Sequence, residues 1–294
     1  MNYWIGVATL TGIYMIAILG VSILTGFTGL FSMGHAGFMA IGAYTSAIIT
    51  KNFGMPIMIG IFFGMLVAML IGIIIGYPTL RLKGDYFVIA TLGIGEVVKL
   101  FIENMPSITG GARGLSDVPK GTNFMLVFFL VLGIIILLKN FLRSKQGRNC
   151  IAIREEELAA TSIGINAFNY KLLSMAISCG LCGLSGALLG HYMHYLHPNM
   201  FNSMKSNELI MTVILGGRGS LTGTIIATLI LVPLPEILRI SGAQEWRMVF
   251  YGLLVVIVIV FRPSGLMGTK ELGLKDIKGF YNKMLKRGHG NDQP

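Results

Sequence analysis

The sequence predicts an all-α polytopic membrane protein with about eight or nine membrane segments, some of them broken or re-entrant helices. Two observations lead to this class. Of the 294 residues, 54% are hydrophobic and only 12% are charged, whereas soluble proteins carry about 25% charged residues. Apolar runs also recur at the length of about 20 residues that crosses the hydrocarbon layer. The chain is therefore expected to fold within a lipid bilayer.

Nine apolar runs mark the candidate segments. They lie at roughly 4–25, 28–50, 56–77, 85–104, 122–142, 170–195, 207–216, 220–235 and 246–262. The first run lacks a basic leader and is longer than the apolar part of a cleaved signal, so we expect a retained span. The seventh is only about ten residues long and cannot cross alone. It is either half of a broken helix or a re-entrant piece, with Gly216 and Gly217 in the turn that follows.

The basic residues predict the orientation. If the loop at 139–171 is cytoplasmic, 16 of the 23 Lys and Arg residues share its side, six (Lys205 among them) lie opposite, and Lys99 lies within a span. Because cytoplasmic loops carry the excess of Lys and Arg, the N-terminus is expected outside and the C-terminus inside. Residues 1–268 then form one transmembrane domain and 269–294 a basic cytoplasmic tail near anionic lipid. The net charge of +10 is thus explained without nucleic acid, for which no recognition motif is present.

The polar stretch 152–166 predicts a helix in the cytoplasmic loop. The first turn of this helix contains Glu155, Glu156 and Glu157, whose carboxylates offset the exposed amide dipoles. Gly164 supplies the left-handed residue that ends the helix. One face carries small and apolar groups suited to another protein's groove: Leu158, Ala159, Ser162 and Ile163. The alternative is a surface helix that charge simply keeps in water.

The second run is unusually rich in glycine. Glycines at 26, 29, 34, 37 and 42 surround His35, and each lowers helix stability by up to about 1 kcal/mol relative to Ala. Such a helix is expected to be broken or very closely packed. The run GFTGLFSMGHAGFMAIGAY is very similar to a signature near the start of permeases that carry branched-chain amino acids and related solutes.

Four further blocks extend this resemblance over roughly residues 20–268. Residues 78–119, 214–239 and 251–268 resemble the middle and the C-terminal third of those permeases, and R-L-K-G-D-Y-F points to the longer of their two paired permease types. Within the loop helix, the E-x-A-A-x-x-x-G pattern resembles the segment that docks importer permeases of the ATP-binding cassette (ABC) class into their ATPase. Its positions here are Glu157, Ala159, Ala160 and Gly164.

The resemblance implies an ABC importer permease fold in the bacterial cytoplasmic membrane. Such a subunit moves branched-chain or related small amino acids inward by alternating access. Its implied partners are a homologous second permease, two cytoplasmic ATPases and an extracytoplasmic solute-binding protein. ATP and Mg²⁺ would bind the ATPases, and we expect this chain to bind no cofactor and to be no enzyme, since it contains no Gly-Lys dipeptide and hence no phosphate-binding loop. The solute could also be a urea-like molecule.

An ion-coupled secondary transporter of a small polar solute is the alternative. Glu96 and Lys99 lie at i and i+3 inside the fourth run, and with Asp85 they would be the coupling groups. Charges at that depth cost at least about 2.5 kcal/mol each on insertion scales, so they face a bundle interior or a water-filled cavity. The pair is therefore either part of the solute pathway or a structural interhelical pair.

The sequence yields two sets of candidate site residues. The ATPase-coupling set is Arg154, Glu155, Glu157, Ala159, Ala160 and Gly164. The pathway or gate set is His35, Glu96, Lys99, Thr109, Gly110, Gly111, Gly216 and Gly217. The glycines after Thr109 either offer amides at an external gate or binding-protein surface, or simply turn a loop. Gly216 and Gly217 mark the turn of a broken helix.

No metal site is expected. Cys179 and Cys182 lie among small residues, which favours helix packing over redox or metal chemistry. The series His191, His194 and His197 spreads its rings too widely around a helix for one metal, so these residues are expected at the membrane interface.

Overall fold

Most of the described residues are helical, and the predicted all-α class is confirmed. This computed structural model describes residues 3–235, 252, 256 and 265–268. The ninth apolar run, apart from 252 and 256, and the basic tail at 269–294 lie outside the described residues. The helices of the described part are α1 Tyr3–Val21, α2 His35–Asn52, α3 Ile57–Thr79, α4 Asp85–Glu103, α5 Pro106–Thr109, α6 Phe124–Arg143, α7 Lys145–Glu155, α8 Glu157–Ser162, α9 Ala167–Met193, α10 Ser203–Gly216 and α11 Leu221–Leu231.

Two long helices form the centre of the bundle. Helix α1 continues as a π-helical turn, Ser22–Phe27, and 78% of the residues in the most apolar 18-residue stretch of this run are buried, the same share as in α9. In α3 and α6 the corresponding shares are only 28% and 22%, although both helices are long and apolar enough to span a membrane. Helix α9 packs on α1, α2 and α3, whereas α6 packs on α1 and α4 packs on α2. The weakly buried helices α3 and α6 therefore present apolar surfaces outward, where lipid can cover them.

Small residues set the spacing at the centre. A Cβ at Gly42 of α2 would overlap the backbone of Gly183 in α9, and one at Gly64 of α3 would lie 2.6 Å from the Gly42 carbonyl oxygen. Three helices therefore meet backbone to backbone, the arrangement that small residues permit between membrane helices. The two α9 cysteines take part in this packing, since Cys179 fills the space beside Gly72 of α3.

The second apolar run is both broken and closely packed, as its glycines predicted. Residues 28–34 are not helical, and α2 begins only at His35. Gly29 has φ +79°, a conformation that favours glycine. The break is anchored to α9 because the Thr28 hydroxyl lies 2.7 Å from the Ser174 hydroxyl.

The seventh and eighth runs form a hairpin of short helices. Helix α10 has 14 residues, about 21 Å at 1.5 Å per residue, which is less than a bilayer core. A Cβ at Gly216 would lie 2.7 Å from the Thr224 backbone, and Leu215 packs against Ala227 and Leu231. Helix α11 thus returns along α10, so of the two alternatives the structure favours the re-entrant piece.

Helix α10 begins earlier than the apolar run predicted. The Asn202 side chain caps it by accepting a hydrogen bond from the Lys205 backbone N–H at 3.0 Å, and such a cap starts a helix regardless of hydropathy. Lys205 therefore lies in the first turn of α10. The helix boundary, which the apolar run predicted near 207, is corrected to Ser203.

We expect Gly186→Ala to destabilise the bundle. Its Cβ would overlap the Met39 carbonyl oxygen of α2, and overpacking of this kind costs about 1–3 kcal/mol or more. Gly93→Ala on α4 is the matched control because no atom lies within 4 Å of the added Cβ. Thermal unfolding followed by size-exclusion chromatography should show a lower Tm for Gly186→Ala alone, and equal Tm values would contradict the packing described above.

Candidate functional site

The loop between α6 and α9, called the coupling loop below after its predicted role, contains two helices where the sequence predicted one from 152 to 166. Helices α7 and α8 meet at Glu156, whose backbone is extended at φ −158° and ψ 104°. The change of direction lets Ala160 pack with Ile153 and Ala167 in a small buried cluster. Burial of that apolar surface outweighs the helix propensity of the consecutive glutamates. The prediction of one continuous helix is therefore wrong, and the segment forms α7 and α8 instead.

The left-handed residue predicted at Gly164 is confirmed. Gly164 has φ +87°, and the Ile165 N–H donates to the Ala160 carbonyl across the end of α8 at 3.1 Å. This is the pattern by which a C-terminal glycine satisfies the last carbonyls of a helix. The chain can then reverse into α9.

The outer face of α8 is apolar and open to solvent. Leu158 and Ile163 are 76% and 77% exposed, and Ala159 and Ser162 beside them are also exposed, whereas Ala160 points inward. Glu157 binds within the chain, since its carboxylate lies 2.6 Å from the Lys171 ammonium in the first turn of α9. The four residues of the predicted face therefore lie together on the surface, and Glu157 holds α8 to the bundle.

Arg154 connects this loop to the two breaks in the bundle. Its guanidinium Nη1 donates to the Gly26 carbonyl in the π-helical turn at 2.8 Å. The guanidinium also pairs with Glu155, which is exposed. Gly29 and Gly219 pack directly against the Arg154 side chain, and a Cβ at Gly219 would overlap Nη1. The last turn of α7 is thereby tied to the turn after α1 and to the turn between α10 and α11.

His35 is buried at the start of α2. Its Nδ1 lies 2.9 Å from the Ser32 carbonyl oxygen and its Nε2 lies 3.0 Å from the Ser178 hydroxyl of α9. Both ring nitrogens therefore have partners inside the bundle, and the ring ties the broken segment to the central helix.

Glu96 and Lys99 lie near each other on α4, with Oε2 and Nζ 4.0 Å apart. Glu96 also accepts a hydrogen bond from the Ser203 backbone N–H at 3.2 Å. A carboxylate at a helix N-terminus offsets the exposed amide dipoles. These contacts are those of an interhelical link between α4 and α10.

The glycine loop after α5 uses its own amides. The Thr109 hydroxyl bonds the carbonyls of Ile102 and Met105, the Gly111 N–H donates to that hydroxyl, and the Gly110 N–H donates to the Pro106 carbonyl. Both glycines have positive φ. These interactions favour a turn over an anion-binding nest, because the amides that would hold a carboxylate are already bonded.

Gly216 and Gly217 lie where α10 ends. Gly217 has φ +115°, and a Cβ there would lie 2.6 Å from the Gly268 carbonyl oxygen. The Leu266 N–H donates to the Leu215 carbonyl at 2.8 Å. Because these glycines have no side chain, the segment 265–268 can pack directly against the hairpin turn.

The histidine series does not share one helix face. His191 lies in α9 and bonds Ser46 and the Pro119 carbonyl, His194 has φ +62° and ends that helix, and His197 caps the turn at Pro198–Phe201. Among the described residues no group of three or more His, Cys, Asp or Glu side chains is placed to hold a metal ion.

Sequence reasoning missed a charged cluster on α1 and α10. The Lys205 ammonium lies 2.7 Å from the Glu208 carboxylate and 3.9 Å from the centre of the Tyr14 ring. The available signal was an i, i+3 pair of opposite charges, Lys205 and Glu208, at the start of the short apolar run.

Comparison with known proteins agrees with this architecture. The family described as the permease component of the branched-chain amino acid transport system matches residues 3–259. The chain belongs to this family. It is therefore a multi-pass membrane protein of a transport family.

Individual relatives include both permease types. The high-affinity branched-chain amino acid transport system permease protein LivM of Escherichia coli K12 is 34% identical over 92% of this chain and 71% of LivM. LivH of the same strain is 25% identical over 90% of this chain and 94% of LivH. A probable LivM permease of Methanocaldococcus jannaschii is 24% identical over 89% and 92% of the two chains. No solved structure gives a significant match. Of the two E. coli K12 permeases, LivM is thus the more similar to this chain.

The buried thiol of Cys150 predicts slow chemical modification. Burial in α7 raises the pKa of this thiol above its ordinary value, although a bond to Ser174 partly offsets the effect. Because the thiolate is the reactive form, a raised pKa and lack of access both slow alkylation at neutral and mildly alkaline pH. We expect maleimide to label the exposed thiol of the S162C variant much faster than Cys150, as measured by peptide mass spectrometry. Equal rates would contradict the docking of α7.

Proposed function

We propose that this chain is a permease subunit of an ATP-driven importer that moves branched-chain or related small amino acids into the cytoplasm. The observation that carries the proposal is family membership over residues 3–259 combined with the exposed apolar face of α8. A surface with Leu158 and Ile163 exposed in a polar loop suits a protein groove. The relatives named LivM and LivH belong to branched-chain amino acid transport systems, which supports pairing with a second permease.

The remaining partners belong to the same proposal. Two cytoplasmic ATPases bind ATP and Mg²⁺ and receive α8, and a solute-binding protein docks at the opposite end. The orientation, with the N-terminus outside and the C-terminus inside, has support from the positions of the basic residues. The 217–220 turn lies beside Arg154, so Arg218 in that turn is at the same end of the bundle as the coupling loop. Lys51 lies at the other end of α2, where it bonds the Ser116 carbonyl.

Mechanical coupling follows from the contacts of Arg154. Closure of the ATPases would displace α8 and with it α7. Since Arg154 bonds Gly26 and packs on Gly219, the displacement reaches the π-helical turn of α1 and the α10–α11 hairpin. Broken helices are where transporters change conformation around a solute. Alternating access would arise from movement at these two breaks.

Co-purification tests the proposal. The chain is expressed with its neighbouring genes, and the proteins that purify with it are identified by mass spectrometry. Recovery of a sister permease and two ATPases, with ATP-dependent uptake of leucine in proteoliposomes, supports the importer. A chain that purifies alone and drives uptake from an ion gradient would instead establish the ion-coupled transporter.

We expect the double substitution Leu158→Asp and Ile163→Asp to release the ATPases. Both side chains are exposed in the free chain, so the bundle should fold normally, but two carboxylates would have to be buried in the ATPase groove. Met55→Asp, at an exposed apolar residue outside the coupling loop, is the control. Pull-down of the ATPases should fail for the double variant alone; normal pull-down would exclude α8 as the docking helix.

We expect Arg154→Ala to separate ATP hydrolysis from uptake while the ATPases remain bound. The variant removes the link to Gly26 but leaves the exposed face of α8 intact. Gly219→Ala should act in the same direction, because it displaces the guanidinium from the hairpin turn. Gly133→Ala, which has no atom within 4 Å of its added Cβ, is the control. The readout is the ratio of leucine imported to ATP hydrolysed, and an unchanged ratio in both variants would refute transmission through Arg154.

A further inference from the structure

A cavity of about 520 Å³ lies between α1, α10 and the end of α11. Its size falls within the range of about 300–1,000 Å³ typical of small-molecule sites. The lining is mostly apolar and includes Leu10 and Ile18 from α1, Met211 from α10 and Leu231 from α11. Aliphatic surface on several sides suits an aliphatic side chain.

An ion pair lies on the wall of this cavity. Lys205 and Glu208 both line it, with their charged atoms 2.7 Å apart, and the Lys205 ammonium also lies over the Tyr14 ring at 3.9 Å. The Glu208 side chain is half exposed. The carboxylate is therefore reachable from the cavity, and a polar ligand could contact both charges.

The Lys205 ammonium lies beside the middle of α1. Tyr14 is near the middle of the 25-residue helical run Tyr3–Phe27, so Lys205 is far from either end of α1. Ionisable groups at such depth are costly and mark pathways for solutes or ions. Lys205 is also in the first turn of the short helix α10, and transporters often place half-helix N-termini beside the charged groups of their substrates.

We propose that this cavity binds the solute as a zwitterionic α-amino acid, an inference that rests on the proposed importer function. The ligand carboxylate contacts Lys205 and its ammonium contacts Glu208. Its aliphatic side chain lies against the accessible apolar side chains of the lining, Leu10, Met204 and Met211. When a zwitterion binds, its two charges replace the contact between Lys205 and Glu208. Each charge of the ligand and of the protein then still has a partner of opposite sign. A ligand that carries only one of the two charges displaces the ion pair but leaves one protein charge without its partner, so it should bind more weakly.

Cysteine protection in the assembled importer tests binding directly. Met211 lines the cavity and is 40% exposed, and the native cysteines of the described chain are all buried. The M211C variant should react with maleimide, and leucine should slow that reaction. The probes 3-methylbutylamine, which lacks the carboxylate, and 4-methylpentanoate, which lacks the ammonium, should not. Addition of Glu208→Gln or Lys205→Met to the M211C variant should abolish protection by leucine.

Uptake by the same complexes provides the second measurement. Glu208→Gln and Lys205→Met should each lower kcat/KM for leucine by about tenfold or more, because each variant leaves one charge of the ligand without its partner. Lys205→Arg should retain more activity than Lys205→Met because it keeps the charge. Lys51→Met, which removes an exposed ammonium at the other side of the bundle, is the control and should transport normally.

The outcomes separate this inference from the proposed function. If the unsubstituted importer takes up leucine but leucine does not protect the M211C variant, the cavity is not the solute site. If the M211C variant is unreactive in the importer yet reactive in the isolated chain, the cavity is covered by a partner subunit and the inference also fails. Absence of ATP-dependent amino acid uptake by the unsubstituted complex would overturn the proposed function itself.

Discussion

The close approach of α2, α3 and α9 is the constraint on which the rest of the structure depends. Gly42, Gly64 and Gly183 bring three backbones into contact, and the buried helix α9 then holds α1 on its other side. Between membrane helices, lipid offers little hydrophobic driving force, so van der Waals contact of this kind supplies much of the cohesion. Polar groups at the same centre are bonded to one another, as His35 is to Ser178. A rigid centre results.

Around that centre, the chain departs from regular helix at a few places that face the coupling loop. The π-helical turn of α1, the break before α2 and the turn after α10 all lie close to Arg154. π-Helical turns and glycine breaks are frequent at functional positions because they free backbone groups from the regular ladder. Here the free Gly26 carbonyl accepts from the guanidinium. The Arg154 side chain therefore joins the loop that contains α7 and α8 to all three of these departures from regular helix.

The charges inside the bundle fall into two groups. Glu96 links α4 to the start of α10 by accepting a hydrogen bond from the Ser203 N–H. This contact accounts for a charge at that position without a bound solute. Lys205 and Glu208 instead border open space lined by aliphatic side chains. Since an ion pair that borders a cavity can exchange partners with a ligand, this second pair is the better candidate for contact with solute. The two pairs share the same i, i+3 spacing, so only their surroundings distinguish them.

The sequence alone determined the all-α membrane class, the glycine-weakened second segment, the left-handed Gly164 and the shortness of the seventh segment, because hydropathy and backbone preference are local properties. It also indicated the family through motifs spread along the chain. Tertiary structure decided the rest. The turn at Glu156 follows from burial of Ala160, the start of α10 depends on the Asn202 cap, and the satisfied amides after Thr109 depend on partners in α4 and α5. The reach of Arg154 to Gly26 and the contact of Lys205 with Tyr14 join residues 128 and 191 positions apart (154 − 26 and 205 − 14). No local pattern encodes such contacts, since they arise only when the helices pack.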